Sequence, residues 1–293
     1  MRAAIFSHYD KHGIVDDYVL YSLRCYRQYF DHIIFVSTCK LDIPQQLRAK
    51  SFVDAVICRE NIGYDFLSWR CGFETLQLRV FDSVTFINDS IYGPCNNMQY
   101  MMNQSDSSTA DLWGVSINRQ FRPHVQSYFM CFKSNLLRSG FANKYWSKVE
   151  PVGDKFDLIM RFEVGLSEFV EKSGFSIGAL VELSYINRSI RQTVLRENIP
   201  AIATDDWNLS RQIIMNDLSP NPVQLFWGEM LRMGAPFVKA ELFKSNPMSV
   251  NLKSIFDYIN KDNWYNTSLI LNHLERIIPT ERFLALKQTL YST

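Results

Sequence analysis

The sequence predicts an α/β fold in which a mostly parallel, Rossmann-like sheet flanked by helices is followed by a helical C-terminal region. Three observations predict it. Short β-branched and aromatic runs alternate with helix-period segments through the first part of the chain, two of those runs break off in clusters of small polar side chains, and beyond about residue 205 amphipathic helical runs replace strands. Alternation at this spacing favours parallel pairing with right-handed crossovers, as in nucleotide-binding α/β folds.

Taken in order, residues 3–8 open on Ala3, Ala4, Ile5 and Phe6 and read as a strand. Residues 14–30 put Val15, Tyr18, Val19, Leu23 and Tyr26 on one helical face. His32 to Ser37 is a second strand, followed by a short helix near 44–51 and a third strand at 53–58. A helix near 64–79 and a strand at 83–88 complete the alternation, with further strand-like runs at 111–116 and 127–132 and a helix around 155–173. The sheet half is expected to end near residue 185. In the tail, amphipathic runs at 222–234, 252–259 and 267–278 contain no convincing strand. Its aromatics, Phe226, Trp227, Phe237, Phe243, Phe256, Tyr258, Trp264 and Tyr265, are most simply packing rather than a membrane-facing surface. The expected division is residues 1–204 as the α/β domain and 205–293 as a helical region packed on it, with no internal repeat or low-complexity linker.

Composition narrows the function. At 293 residues, 47% hydrophobic and 21% charged, the chain suits a packed globular protein with a sizeable core. A net charge of +1 and the lack of a Lys/Arg stripe exclude nucleic acid as an expected partner. Cys25, Cys39, Cys58, Cys71, Cys95 and Cys131 form no CxxC pair and mostly lie in apolar segments, which fits a reducing compartment. Met1 and Arg2 lead straight into the first strand without an apolar signal region, and no apolar window is long enough to span a bilayer. The Asn187-Arg188-Ser189 sequon is then irrelevant.

The most informative stretch runs from Val84 to Pro94, an apolar strand ending in Asn88, Asp89 and Ser90 before Gly93-Pro94. Ligands of open α/β sheets bind beyond the carboxyl ends of such strands. The competing reading is a plain turn, since Asn, Asp and Ser all bond their own backbone. A second cluster of this kind favours a site: the strand at 53–58 runs into Arg59, Glu60, Asn61, Gly63 and Asp65. No Gly-rich phosphate loop, Gly-x-Ser-x-Gly elbow or His/Cys metal spacing competes, and His8, His12, His32, His124 and His273 are scattered.

Through these residues and several other segments, the chain resembles the rhamnan synthesis protein F family. The segments that carry the resemblance are His8-Tyr9-Asp10, Glu60-Asn61-Ile62-Gly63-Tyr64-Asp65, Phe86 to Pro94, Ser127 to Phe132, Phe162 to Ser167 and Gly234 to Lys239. They span residues 3 to about 276. The Asn-Asp-Ser-x-Tyr-Gly-Pro and Asn-x-Gly-x-Asp elements are fairly specific in combination. The resemblance implies a bacterial glycosyltransferase of surface-polysaccharide or O-antigen (lipopolysaccharide) assembly. It also implies a glycosyltransferase A-like fold with a nucleotide sugar across the carboxyl ends of the first strands.

A site of that kind needs groups for base and ribose, a cation or Lys/Arg set for the leaving diphosphate, and a general base for the acceptor hydroxyl. Ser7, His8 and Tyr9 after the first strand could stack on and bond the base, with Glu60 and Asn61 beside them; His8 could equally be an ordinary half-buried histidine. Asp65 reads either as a ribose contact or as a helix cap. Where related inverting enzymes carry Asp-x-Asp, this chain has Asn88-Asp89-Ser90, so Asp89 is the one carboxylate available to Mg²⁺ or Mn²⁺, and strand alternation would turn it away from the face of Asn88 and Ser90. Without a metal, Lys11, Arg59, Arg191, Lys239 or helix amides would meet the diphosphate charge.

Glu163 is the candidate base, because the resemblance places it at an acidic residue that opens a helix ending at a Gly before the next strand. Its plainer reading is a solvated helix carboxylate, and the flanking Phe162 and Leu166 argue for partial burial. The expectation is an inverting transferase, most simply of L-rhamnose from deoxythymidine-diphosphate rhamnose, acting on a lipid-linked glycan in the cytoplasm or peripherally at the inner face of the membrane, with contact to membrane or other assembly proteins. The alternatives are a transferase of galactose, galactofuranose, mannose or an amino sugar, and a non-catalytic module that binds a glycan or nucleotide sugar.

Overall fold

A computed structural model of the chain describes residues 1–182, 221–261 and 264–291. The expected boundary at 204–205, Arg191 and the sequon at 187–189 lie outside the described residues. The described chain divides into two units. The first comprises Met1–Asp89, Met102–Val115 and Phe121–Ala179, and the second Ser90–Met101, Ser116–Gln120 and Leu180–Thr293.

The strands are β1 (Arg2–His8), β2 (His32–Ser37), β3 (Ala55–Cys58), β4 (Ser83–Asn88), β5 (Ile91–Tyr92), β6 (Leu112–Asn118), β7 (His124–Val125), β8 (Phe129–Lys133), β9 (Ile177–Glu182) and β10 (Val238–Lys239). Eight of them form one sheet in the order β3-β2-β1-β4-β8-β6-β7, with β9 also on β6. Its first half is parallel: β1 pairs with β2 and with β4, and β2 with β3. The fold is therefore the α/β class expected, a mixed sheet flanked by helices. β8, however, runs antiparallel between β4 and β6, with Ile87 opposite Phe129 and Leu112 opposite Phe132. A parallel return needs a crossover of a dozen residues or more, usually a helix, and residues 119–128 hold only the two-residue β7. The start of β8 consequently lies at the same edge as the carboxyl end of β4.

In the first unit, α1 (Asp17–Tyr26), α2 (Ile43–Lys50) and α3 (Tyr64–Phe73) follow the first three strands. An aromatic core joins α3 to the sheet: the Trp69 ring of α3 lies 6.1 Å from Phe86 of β4, which lies 4.9 Å from Phe132 and 4.7 Å from Trp146. Fully burying such a side chain contributes about 2–3 kcal/mol. The Trp69 indole N–H also donates to the Ile87 carbonyl at 2.9 Å, which fixes the height of α3 against the end of β4. The helical region expected at 155–173 is continuous from Lys155 to Lys172, but its middle, Ile159–Val164, is wound as a π-helix. Glu163 therefore sits inside a π-turn and does not open the helix, and π-turns of this kind are frequent at functional sites.

The second unit is mostly helical among its described residues, with helices at Pro222–Leu225, Trp227–Arg232, Ala240–Lys244, Leu252–Asn260, Ser268–Ile277 and Thr280–Tyr291. The expectation of a strand-free tail is corrected here, because β10 pairs antiparallel with β5, Lys239 opposite Ile91. Two residues in a pair carry no periodic signal, so only the partner reveals them. Phe226, Trp227, Phe237, Phe243, Phe256 and Tyr265 are buried as packing, whereas Tyr258 and Trp264 are exposed. The Tyr92 hydroxyl meets His273 Nδ1 at 2.8 Å in this core.

Candidate active site

The polar residues singled out in the first unit gather at the carboxyl ends of β1 and β4. Ser7 and Asn88 are register neighbours across these strands. Both side chains reach the same carboxylate: Ser7 Oγ donates to Asp65 Oδ1 at 2.8 Å, and Asn88 Nδ2 to Asp65 Oδ2 at 2.9 Å. Gly63 and Tyr64 make this possible by taking left-handed conformations, with φ of 70° and 53°, which turn the chain into α3 so that Asp65 lies in its first turn. A Cβ at Gly63 would meet Leu67 Cδ1 at 2.2 Å, so any other residue at the glycine of the Asn-x-Gly-x-Asp element must displace the Leu67 side chain as well as adopt an unfavourable φ.

Asp89 reaches a different partner. Strand β4 ends at Asn88, so side-chain alternation no longer governs Asp89; its Oδ2 accepts the Tyr9 amide at 2.7 Å and its carbonyl accepts the Tyr18 hydroxyl at 3.0 Å. Tyr9 itself is 53% exposed, which leaves it open to stacking on a planar ligand. His8, by contrast, is 2% exposed, with Nδ1 at 3.0 Å from Ser37 Oγ and its ring 5.0 Å from Phe35. It supports the strand end from inside. Glu60 and Asn61 are exposed on the loop beyond β3.

Arg59 does something other than the sequence suggested. Its guanidinium knits that loop together, donating to the Glu60 and Ile62 carbonyls at 2.9 and 2.7 Å, to the Tyr64 carbonyl at 2.7 Å and to Ser68 Oγ at 3.0 Å. Its hydrogen bonds are taken up in shaping the entry to α3. Lys239 and Ser90, 149 residues apart, meet in the second unit, where Nζ donates to Oγ at 2.8 Å. Lys11 is exposed on the turn after β1 that Asp10 organises by accepting the His12 and Ile14 amides at 2.8 and 3.1 Å.

Glu163 reaches the same edge through β8. The Asn88 amide donates to the Tyr128 carbonyl at 3.4 Å, and the neighbouring Ser127 hydroxyl donates to Glu163 Oε2. Its Oε1 lies 3.5 Å from His124 Nε2, and the Glu163 side chain is 15% exposed. It is thus the partly buried carboxylate anticipated. Ser127 and His124 were missed as site residues, since nothing local marks them; the 36 positions that separate Ser127 from Glu163 close only in the fold.

Asp89 is the carboxylate the sequence offers a cation, yet among the described residues no three His, Cys, Asp or Glu side chains converge to hold one. The donor set suits only a cation that brings most of its ligands with it.

A mixed α/β sheet with a polar cluster across the ends of β1, β4 and β8 defines a protein of the open-sheet α/β class. Its particular family follows from sequence: the rhamnan synthesis protein F model matches residues 33–202, more than half of the chain, and the protein belongs to that family. The chain is similar to virulence protein VirA of Vibrio anguillarum, 30% identical over 204 residues that cover 66% of this chain and 64% of VirA. The match thus spans somewhat under two thirds of the relative's length. Among solved structures, one described as a nucleotide-diphospho-sugar transferase from Desulfovibrio desulfuricans G20 superposes with a TM-score of 0.39 at 11% identity, over 75% of this chain and 99% of that one. S. aureus TarS superposes with a TM-score of 0.35 at 10% identity, over 98% and 52%. No helix among the described residues is long and apolar enough to cross a membrane.

Proposed function

We propose that this chain is an inverting glycosyltransferase that moves a sugar from a nucleotide-sugar donor to a growing surface glycan, with Glu163 as general base. The observation that supports it most is the Asn88 amide to Tyr128 carbonyl bond, which sets the Asn88-Asp89 turn beside Ser127, the residue that holds the Glu163 carboxylate. Neighbouring strands lie about 4.8 Å apart, so a donor across the ends of β1 and β4 would have its sugar within reach of a base held at the start of β8.

In this reading the exposed Tyr9 ring stacks on the nucleotide base, and the Ser7, Asp65 and Asn88 cluster keeps the strand ends rigid beneath the ribose and diphosphate. Glu163 accepts the proton of the acceptor hydroxyl as that oxygen bonds to the sugar carbon, and the carbon–oxygen bond to the diphosphate breaks with its electron pair leaving on the diphosphate. Mg²⁺ or Mn²⁺, when bound, would supply charge neutralisation for the leaving group, with Asp89 as its protein ligand. Membership of the rhamnan synthesis protein F family supports deoxythymidine-diphosphate L-rhamnose as donor and a lipid-linked glycan at the cytoplasmic face of the membrane as acceptor.

The test is turnover with a panel of rhamnose, galactose, galactofuranose, mannose and N-acetylglucosamine nucleotides on a lipid-linked acceptor, comparing wild type with Glu163→Gln. Lost turnover with nucleotide binding retained supports the transferase. Equal turnover by both removes Glu163 as the base, and binding with no transfer from any donor points to a non-catalytic module.

A further inference from the structure

His124 is buried against the proposed base and has no part in the chemistry so far. Its Nδ1 lies 2.8 Å from the Arg122 carbonyl oxygen. A carbonyl only accepts, so Nδ1 carries the hydrogen and the neutral ring presents a lone pair at Nε2. That lone pair faces Glu163 Oε1 at 3.5 Å, with the His124 side chain 1% exposed. A carboxylate oxygen and an imidazole lone pair set face to face away from water repel, and a single proton between them satisfies both.

The surroundings keep the two groups together. Glu163 Oε2 is engaged by the Ser127 hydroxyl, and Oε1 is the oxygen that lies against the ring. Strand β7 is tied down on both sides of His124, because the Val125 amide donates to Ser167 Oγ at 3.0 Å and Arg122 is ion-paired with Glu168. Glu168 also pairs with Lys172, and Arg161 pairs outward with Glu150 and Asp157. From the helix Phe141–Trp146, the Tyr145 hydroxyl donates to the Phe162 carbonyl at 2.7 Å; burial, then the charge of Glu163, push it well above its ordinary range, so it stays protonated.

We propose that His124 is a positioning residue that makes Glu163 half of a one-proton dyad, in which the proton taken up at Oε1 is shared with His124 Nε2. The role in transfer rests on the proposed function; the dyad itself does not. In that transfer the acceptor O–H bond breaks, its electron pair stays on oxygen and forms the new bond to the sugar carbon, the proton comes to rest between Oε1 and Nε2, and it later leaves to solvent.

Two measurements test it. In the first, ¹⁵N spectra of the histidine rings locate the hydrogens of His124 in wild type and Glu163→Gln. Nδ1 is expected to carry a hydrogen in both proteins, and Nε2 to show a proton shared with the carboxylate only in wild type, because the amide introduced by the substitution would donate to the lone pair instead. Identical Nε2 signals in the two proteins, or a neutral ring with its hydrogen on Nε2, overturn the dyad. In the second, the pH dependence of kcat is compared with that of His124→Gln. The acid limb is expected to move to lower pH with a fall of about tenfold in the plateau and little change in donor KM. A lower plateau with the limb unmoved would make His124 packing alone. Absence of turnover with every donor would remove the proposed function and leave the spectra to decide the dyad.

Discussion

The Asp65 carboxylate and the Asn88 side-chain amide meet at 2.9 Å across the gap between the first turn of α3 and the last residue of β4. The other Asp65 oxygen accepts from Ser7 on the neighbouring strand, so one carboxylate ties two strand ends to a helix start. Asp65→Ala removes both bonds. Hydrogen bonds to a charged group contribute about 1.5–3 kcal/mol each, and the expected loss in urea unfolding is about 2–4 kcal/mol, with weaker nucleoside-diphosphate binding. A variant as stable as wild type would show that the clamp adds nothing.

Gly63→Ala places a methyl where Leu67 already lies and forces a side chain into φ of 70°. A loss of about 1–3 kcal/mol is expected, measured as a lower midpoint in thermal or urea unfolding. Since the same turn aims Asp65, nucleotide binding should weaken alongside stability.

Glu163→Gln keeps the shape of the side chain and removes the base. General-base catalysis typically contributes about 10²- to 10⁴-fold, and a fall in kcat of that size is expected with the melting temperature changed by only a few degrees. Nucleotide affinity measured by calorimetry should be retained.

Asp111 governs acid stability at the opposite side of the proposed chemistry. Burial raises its pKa, but the Ser176 amide at 2.8 Å, the Asn135 side chain, the Ser176 hydroxyl and the Lys133 charge outweigh it, and the net direction is downward. A depressed folded-state value means that this stabilisation is complete above the ordinary Asp range near about pH 4 and is lost as pH falls through the folded-state value. Asp111→Asn should therefore be less stable at about pH 7 and show a flatter decline between about pH 5 and about pH 2. Parallel curves for the two proteins would contradict that assignment.

Metal should act through the nucleotide. With no three-donor cluster among the described residues, Mg²⁺ or Mn²⁺ alone is expected to leave the melting temperature unchanged. Together with deoxythymidine diphosphate, whose oxygens complete the coordination shell, the shift should exceed that of the nucleotide alone, and Asp89→Asn should abolish the increment. A shift with metal alone would require a cation site elsewhere.

The strands at the centre of the sheet were legible because burial on both faces writes them as nearly continuous apolar runs, as in Ala3 to Phe6, Ile33 to Val36 and Val84 to Ile87. The polar clusters that end β3 and β4 were legible too, since small polar residues interrupt such runs abruptly. His124 was not, because its meaning depends on a carboxylate 39 positions later, and neither was Arg59, whose cationic type gave no sign that neighbouring carbonyls would occupy it.

The sequence by itself determined the α/β class, the helical character of the tail and the residue types at the strand ends, all of which are local consequences of period, propensity and turn chemistry. Tertiary structure decided the reversed direction of β8, the pairing of β5 with β10, and the meetings of Asp65 with Ser7 and Asn88 and of Glu163 with Ser127 and His124. Those are long-range contacts, and the energy that selects them comes from packing and hydrogen bonding between segments whose separation along the chain leaves no periodic trace.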